Sequence, residues 1–367
     1  MLKQYKLKNY KFTLIFLVAA LTILGILLIG SAQPDVQKKQ ILGFAAGLVI
    51  MLIVSVIDYS FILKFSWLIY LFMVGILALV RLKGDSSGGA QRWFEIGSFR
   101  FQPSELAKIL LILFFAYYFI KHEEKINTPR VLLGSFVLAG IPLYLIVKQP
   151  DLSTTIVTAL IFAAMLFVAG ISYKLVIGVL AVSIPSFFIV MSLVIQGNFP
   201  LLQGFQSNRI MAWLYPDDYP DLAYQQQNSI MAIGSGQLWG KGLNNTDVTS
   251  VKNGNFILES QTDFIFAVAG EELGFIGTAV IIILLLFITI ECILIARKAK
   301  DIAGKLICCG MAALIGFQSF INISVASGLM PNTGLPLPFV SYGLTSLMSL
   351  YIGIGLVLNV GLQPKKY

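Results

Sequence analysis

Residues 262–275 read TDFIFAVAGEELGF, with Asp263 at the point where the long polar stretch 196–262 gives way to an apolar run. Burying a charged carboxylate in hydrocarbon costs at least about 2.5 kcal/mol even on permissive scales. Asp263, Glu271 and Glu272 are therefore expected to face a cavity or a partner group and not lipid. Further from this point, apolar stretches of membrane-crossing length recur along the whole chain. Ten candidate spans are predicted, at 12–30, 41–57, 65–80, 104–120, 131–147, 152–170, 174–195, 264–296, 306–328 and 339–360.

The expected fold is all-α and polytopic, a single integral membrane unit over 1–367. A long extracytoplasmic loop, 196–263, lies between the seventh and eighth helices, and both termini are cytoplasmic. With 57% hydrophobic and only 12% charged residues, the composition is that of a membrane protein. The first apolar run continues into Gln33-Pro34-Asp35 without a small-residue cleavage pattern, so it reads as a retained helix and not a signal peptide. A cytoplasmic N-terminus places the short connectors bearing Lys64, Lys121, Lys125, Arg130, Lys174, Arg297, Lys298, Lys300 and Lys305 inside, as the positive-inside rule favours.

The net charge of +8 then reads as anchoring to anionic membrane lipid, since no basic stripe interleaved with aromatics suggests nucleic acid. The sole histidine, His122, falls in a cytoplasmic connector, which excludes a histidine-based zinc site or a serine–histidine triad on the outer side. No function is assigned to Cys292, Cys308 or Cys309. Residues 236–242, GQLWGKG, have one residue too few between their glycines for a phosphate-binding loop and Gly242 where Ser or Thr is needed. No nucleotide cofactor is expected.

Three outer segments carry unusual residues, 81–103, 196–262 and 331–334 leading into LPLPFVSYG, and loops on a rigid scaffold commonly carry function. In RFQPSELAKI (100–109), Glu105 and Lys108 at i and i+3 share a helix face. They form either an ordering ion pair or a charged cavity wall in which Arg100 and Lys108 hold a diphosphate and Glu105 orients Lys108. Asp151 in KQPDLSTT (148–155) suits a helix cap, with Lys148 adding positive charge to the same outer cavity.

The stretch 200–216, PLLQGFQSNRIMAWLYP, mixes apolar, aromatic and basic residues, including Arg209, as an interfacial segment or a lid does. Gly270, Gly274 and Gly277 at helical spacing predict close approach of another helix. Glu271 and Glu272 read as a network with a Lys or Arg of another span, or as part of an ion or proton path. Pro331, Pro336 and Pro338 in GLMPNTGLPLPFVSYG (328–343) predict a broken or re-entrant turn forming a cavity wall.

Taken together, 89–109, KQPDLSTT, QSNRIMAWLYP (206–216), ESQTDFIFAVAGEELGF (259–275) and 328–343 resemble, in order and placement, the SEDS family (shape, elongation, division and sporulation), of the RodA, FtsW and SpoVE kind. That resemblance spans nearly the whole chain. It implies polymerisation of lipid II, a disaccharide-peptide on undecaprenyl diphosphate, into peptidoglycan at the outer face of the bacterial cytoplasmic membrane, for elongation, shape or division. It also implies a class B penicillin-binding protein as partner. Asp263 matches the family's essential acid, and Arg100, Glu105 and Lys108 match charged positions of its central cavity. Asp263 is then expected to deprotonate the acceptor hydroxyl or to hold a divalent cation, Mg²⁺ or Mn²⁺. Arg100, Lys108, Lys148 and Arg209 would offset the charge of the diphosphate. A lipid II flippase and a noncatalytic scaffold for a cell-wall synthase are the competing readings.

Overall fold

The computed structural model describes residues 10–87, 90–96, 99–196, 204–245, 256–258 and 260–363. The helices are α1 (Phe12–Ala32), α2 (Pro34–Val56), α3 (Tyr59–Leu63), α4 (Ser66–Lys83), α5 (Pro103–Lys121), α6 (Pro129–Val147), α7 (Leu152–Val168), α8 (Tyr173–Ile195), α9 (Gly204–Leu214), α10 (Pro220–Ser235), α11 (Ile265–Arg297), α12 (Ile302–Ala326) and α13 (Leu344–Leu362). Among the described residues, eight of these are long and apolar enough to cross a membrane, and two shorter apolar helices cover Ser66–Leu82 and Leu152–Val168. These coincide in position with the ten expected spans. The polytopic helical architecture is as expected.

Starts and stops follow local chemistry. Pro34, Pro103, Pro129 and Pro220 sit in the first turn of their helices, where a missing N–H is harmless. Asp58, Asp151 and Asp301 cap α3, α7 and α12 by accepting from the amides of Ser60 (2.8 Å), Thr154 (3.1 Å) and Gly304 (2.7 Å). The interior is built on α5, α12 and α13, with α7 beside them and α2 packed along α13. Small residues let the helices close on one another: Gly43 and Gly47 of α2 face Leu344 and Tyr351, and Gly25 of α1 faces the backbone of Val340.

Two features depart from the expected pattern. A small antiparallel sheet is made by β1 (Asp85–Ser87), β2 (Ala90–Ile96) and β3 (Phe99–Phe101), in the order β1-β2-β3. Phe94 pairs with Phe101 and Glu95 with Arg100. The expected eighth span is also not one regular helix, because α11 breaks at Gly274, where φ is 66° and ψ is −163°.

Groups freed by that break are taken up by the turn after α10. The Lys241 amide donates to the Glu271 carbonyl (2.9 Å) and Gly242 to Glu272 (3.0 Å), while Phe275 donates to Gln237 (2.8 Å) and Ile276 to Leu238 (3.2 Å). A Cβ on Gly236, Gly240 or Gly274 would fall inside the opposing backbone. The close approach expected at Gly270 is made by Ile233 of α10, that at Gly274 by this turn, and Gly277 faces Leu273 of its own helix.

The Gly274 conformation belongs almost only to glycine, and forcing another residue into such a region costs about 1–3 kcal/mol before the clash with Gly240 is added. Gly274→Ala is expected to lower the thermal unfolding midpoint of the detergent-purified protein and its yield of monodisperse material. Gly178→Ala, on helix α8 with open space around it, should leave both unchanged.

Candidate functional site

The irregular segments 260–264 and 327–343 meet at one end of the bundle, and side chains of α12 hold them there. Gln318 and Asn322 stand one turn apart on α12, both buried. Gln318 Nε2 donates to the Pro336 carbonyl (2.9 Å); Asn322 Nδ2 donates to the carbonyls of Leu335 (2.6 Å) and Asp263 (2.8 Å). Ser341 Oγ accepts from the Leu337 amide (2.7 Å) and donates to the Thr262 carbonyl (2.6 Å), and the Tyr342 amide donates to Gln261 (2.9 Å). Backbone that leaves a helix at membrane depth is thus satisfied from within the protein.

This frame fixes Asp263 just ahead of α11. Its side chain is half-buried, and Oδ2 lies 3.2 Å from where a Cβ on Gly334 would stand, so Gly334, at φ 73°, forms a bare wall against the carboxylate. Arg209 of α9 donates to the Asn332 carbonyl (3.3 Å). Burial lowers the pKa of its guanidinium and Arg92 pushes the same way, while Asp263 and Asp151 oppose both. Four charged groups from α9, β2 and the starts of α7 and α11 therefore act on one another at this end. A cleft lined by Arg209 also includes Pro150, Ser153, Pro331, Asn332 and Thr333, and across it Ser153 Oγ donates to the Thr333 carbonyl (2.6 Å).

Beneath the frame, Lys108 and Glu105 form an ion pair of 2.7 Å with side chains 1% and 3% exposed. Lys108 Nζ also donates to Gln318 Oε1 at 2.7 Å. The pair is thus internal, and Lys108 stands behind the cavity surface and not on it. Arg100 is open to solvent, 63% exposed, and pairs with Glu95 across the hairpin at 2.8 Å. The carbonyl of Arg100 accepts from Thr345 Oγ1 (3.0 Å) at the start of α13.

Asp151 is the cap of α7. Lys148 is exposed, with its ammonium over the Tyr144 ring at 5.6 Å, and is not drawn into the cluster. Pro331 lines the cleft, the Pro336 carbonyl receives Gln318, and Pro338 is buried in the frame. Glu271 pairs with Lys241 at 2.8 Å. Its cation comes from the turn after α10 and not from another span. Glu272 accepts from Ser31 of α1.

Sequence reasoning passed over Gln318, Asn322, Ser341 and Arg92. The signal for the first two was a pair of amides four residues apart in an otherwise apolar span, a spacing that puts both on one helix face. Arg92 donates to the carbonyls of Gln149 (2.9 Å) and Pro150, and so fixes the chain leading into Asp151. Among the described residues, no three His, Cys, Asp or Glu side chains gather as a metal cage. A lone carboxylate suits Mg²⁺ or Mn²⁺ only in the manner in which such ions draw their remaining oxygens from substrate phosphates and water.

The sequence model of the FtsW/RodA/SpoVE family, described as "Cell cycle protein", matches residues 4–366. A probable peptidoglycan glycosyltransferase FtsW of Geobacter sulfurreducens is 32% identical, over 98% of this chain and 97% of its own. The peptidoglycan glycosyltransferase MrdB of Escherichia coli is 34% identical, over 96% and 94%. Among solved structures, one describing the structural coordination of polymerization and crosslinking by a peptidoglycan synthase complex matches with a TM-score of 0.79 at 28% identity, covering 96% of this chain and 97% of that one. The rod shape determining protein RodA of Thermus thermophilus matches with a TM-score of 0.69 at 28% identity, covering 96% of each.

Removing one partner of a buried ion pair strands the other charge, which costs about 3–5 kcal/mol, whereas replacing both by neutral groups of similar size is close to neutral. Lys108→Met alone is expected to lower the unfolding midpoint of the purified protein strongly. Glu105→Gln combined with Lys108→Met should recover most of that loss in the same assay.

Proposed function

The chain belongs to the FtsW/RodA/SpoVE family of cell cycle proteins and is a multi-pass membrane peptidoglycan glycosyltransferase, and from that premise we propose that it polymerises lipid II with Asp263 as the general base. The observation that carries this reading is the half-buried carboxylate of Asp263, held by its own backbone to α12, set against Gly334 and acting on the Arg209 guanidinium that lines the neighbouring cleft.

In the proposed step, a hydroxyl oxygen of the acceptor sugar attacks the anomeric carbon of the lipid-linked donor. The bond from that carbon to the diphosphate breaks, the electron pair leaves with the undecaprenyl diphosphate, and the hydroxyl proton passes to Asp263. Arg209, which lines the cleft, and the exposed Arg100 of the hairpin are the cations proposed to meet the departing diphosphate. Lys148 lies further out, and Lys108 acts from behind the surface. In the alternative role, Asp263 together with diphosphate oxygens would hold a Mg²⁺ or Mn²⁺ ion, which would supply further neutralisation of the leaving group. The donor is itself an activated glycosyl diphosphate, so the reaction needs no nucleotide.

The proposed setting is the outer face of the bacterial cytoplasmic membrane. In support, the connectors 121–130 and 297–302, rich in Lys and Arg, lie at the end of the bundle opposite Asp263, where the positive-inside rule favours cytoplasm. The proposed partner is a class B penicillin-binding protein, supported by the likeness to a synthase complex that couples polymerization with crosslinking.

Purified full-length protein, supplied with lipid II and a class B partner, is expected to make glycan strands visible on a gel. A folded Asp263→Asn variant should lose about two to four orders of magnitude in rate, the usual contribution of a general base. Equal product from both proteins would remove Asp263 from catalysis, and lipid II translocation in vesicles would then become the reading to examine. Chelation of divalent ions is expected to stop the reaction and added Mg²⁺ or Mn²⁺ to restore it, whereas full activity in chelator would exclude the cation.

A further inference from the structure

Lys108 has only donors, and it is 1% exposed with its ammonium already engaged by Glu105 Oε1 and Gln318 Oε1, each at 2.7 Å. That has a directional consequence at Gln318. An amide beside an ammonium must turn its oxygen toward it, so its NH₂ points the other way, onto the Pro336 carbonyl at 2.9 Å. Gln318 is 0% exposed, which leaves no solvent to offer an alternative orientation.

One turn later Asn322 bonds the adjacent carbonyl, Leu335, and the carbonyl of Asp263 with the same NH₂ group. The residue before Leu335 is Gly334, whose α-carbon stands against the Asp263 carboxylate. A continuous path of contacts therefore runs from Glu105 through Lys108 and Gln318 to the 334–336 backbone, and from there to both the main chain and the side chain of Asp263.

We propose that Gln318 is a positioning residue for the transferase reaction, its amide oriented by Lys108 and holding the 334–336 wall against the Asp263 carboxylate. Lys108 and Glu105 then influence the reaction through Gln318 and do not touch the diphosphate. This rests on the assignment of Asp263 as base. A shift of about 1 Å in a reacting group can lower a rate a hundredfold, and Gln318 is the link through which a change at Lys108 would reach Asp263.

The test is steady-state lipid II polymerisation by the full chain with its class B partner, in detergent, reading kcat and KM separately. Gln318→Met keeps the volume and removes both hydrogen bonds. Gln318→Glu keeps an acceptor for Lys108 and removes the amide donor, so one of the two stays assessable if the other fails to fold. Each is expected to lower kcat about ten- to hundredfold with KM for lipid II within about twofold of wild type. Glu105→Gln with Lys108→Met should do the same, and combining that pair with Gln318→Met should bring little further loss, because all act on one link.

Wild-type kcat in a folded Gln318 variant overturns the proposal. A raised KM with retained kcat in the Glu105→Gln, Lys108→Met protein also overturns it, since that is the signature of a lost substrate contact. Asp263→Asn, run in parallel, separates the two levels. If it polymerises normally, the base assignment falls and this proposal with it; if it is inert while Gln318→Met is fully active, only the present proposal falls.

Discussion

Main-chain carbonyls and amides that leave a helix inside a bilayer have no water to turn to, and each left unpaired costs several kcal/mol. The Asp263 end of this bundle contains two such departures, at Gly274 and along 327–343, and the rest of the site is arranged by how they are satisfied. At Gly274 the partners are main-chain groups of the 236–242 turn. Along 335–341 they are side chains of α12 and Ser341. Either way, irregular backbone next to Asp263 is tied down, which is what the base role proposed for it needs.

The spans were legible because apolar length is a coarse, robust signal. Each of the ten expected stretches coincides with a helix, and the aspartates and prolines at the starts of α2, α3, α5, α6, α7 and α12 mark their own ends. The polar landmarks were legible for the same reason, since Asp263, Glu105, Lys108 and Asp151 stand out against a hydrocarbon background where charge is scarce. The cap at Asp151 and the i, i+3 pair of Glu105 with Lys108 follow from local spacing alone.

What stayed hidden depended on residues distant in sequence. The sheet of β1, β2 and β3 has two strands of only three residues each, too short for alternation to show. The break in α11 has no proline, and Gly274 looks like any packing glycine until the turn after α10 is laid against it. The cation for Glu271 was sought on another span and lies on that turn, because a loop folding back to membrane depth leaves no hydropathy trace. Gln318 and Asn322 read as minor interruptions of an apolar run, since their worth lies in carbonyls that the α12–α13 loop brings to them.

The tie between residues 260–264 and the end of the chain bears on biogenesis. Asp263 leaves the ribosome well before its fixings: the Asn322 amide lies 59 residues later, and Ser341, which fixes the Thr262 carbonyl, 79 residues after Thr262. A nascent chain that has inserted α11 already carries Asp263 and Arg209, yet lacks the Asn322 amide that holds the one and the Asn332 carbonyl that receives the other. The hold on this end of the bundle is therefore among the last things synthesis supplies, and a chain that stops before α12 carries Asp263 with neither Asn322 nor Ser341 to fix the backbone around it.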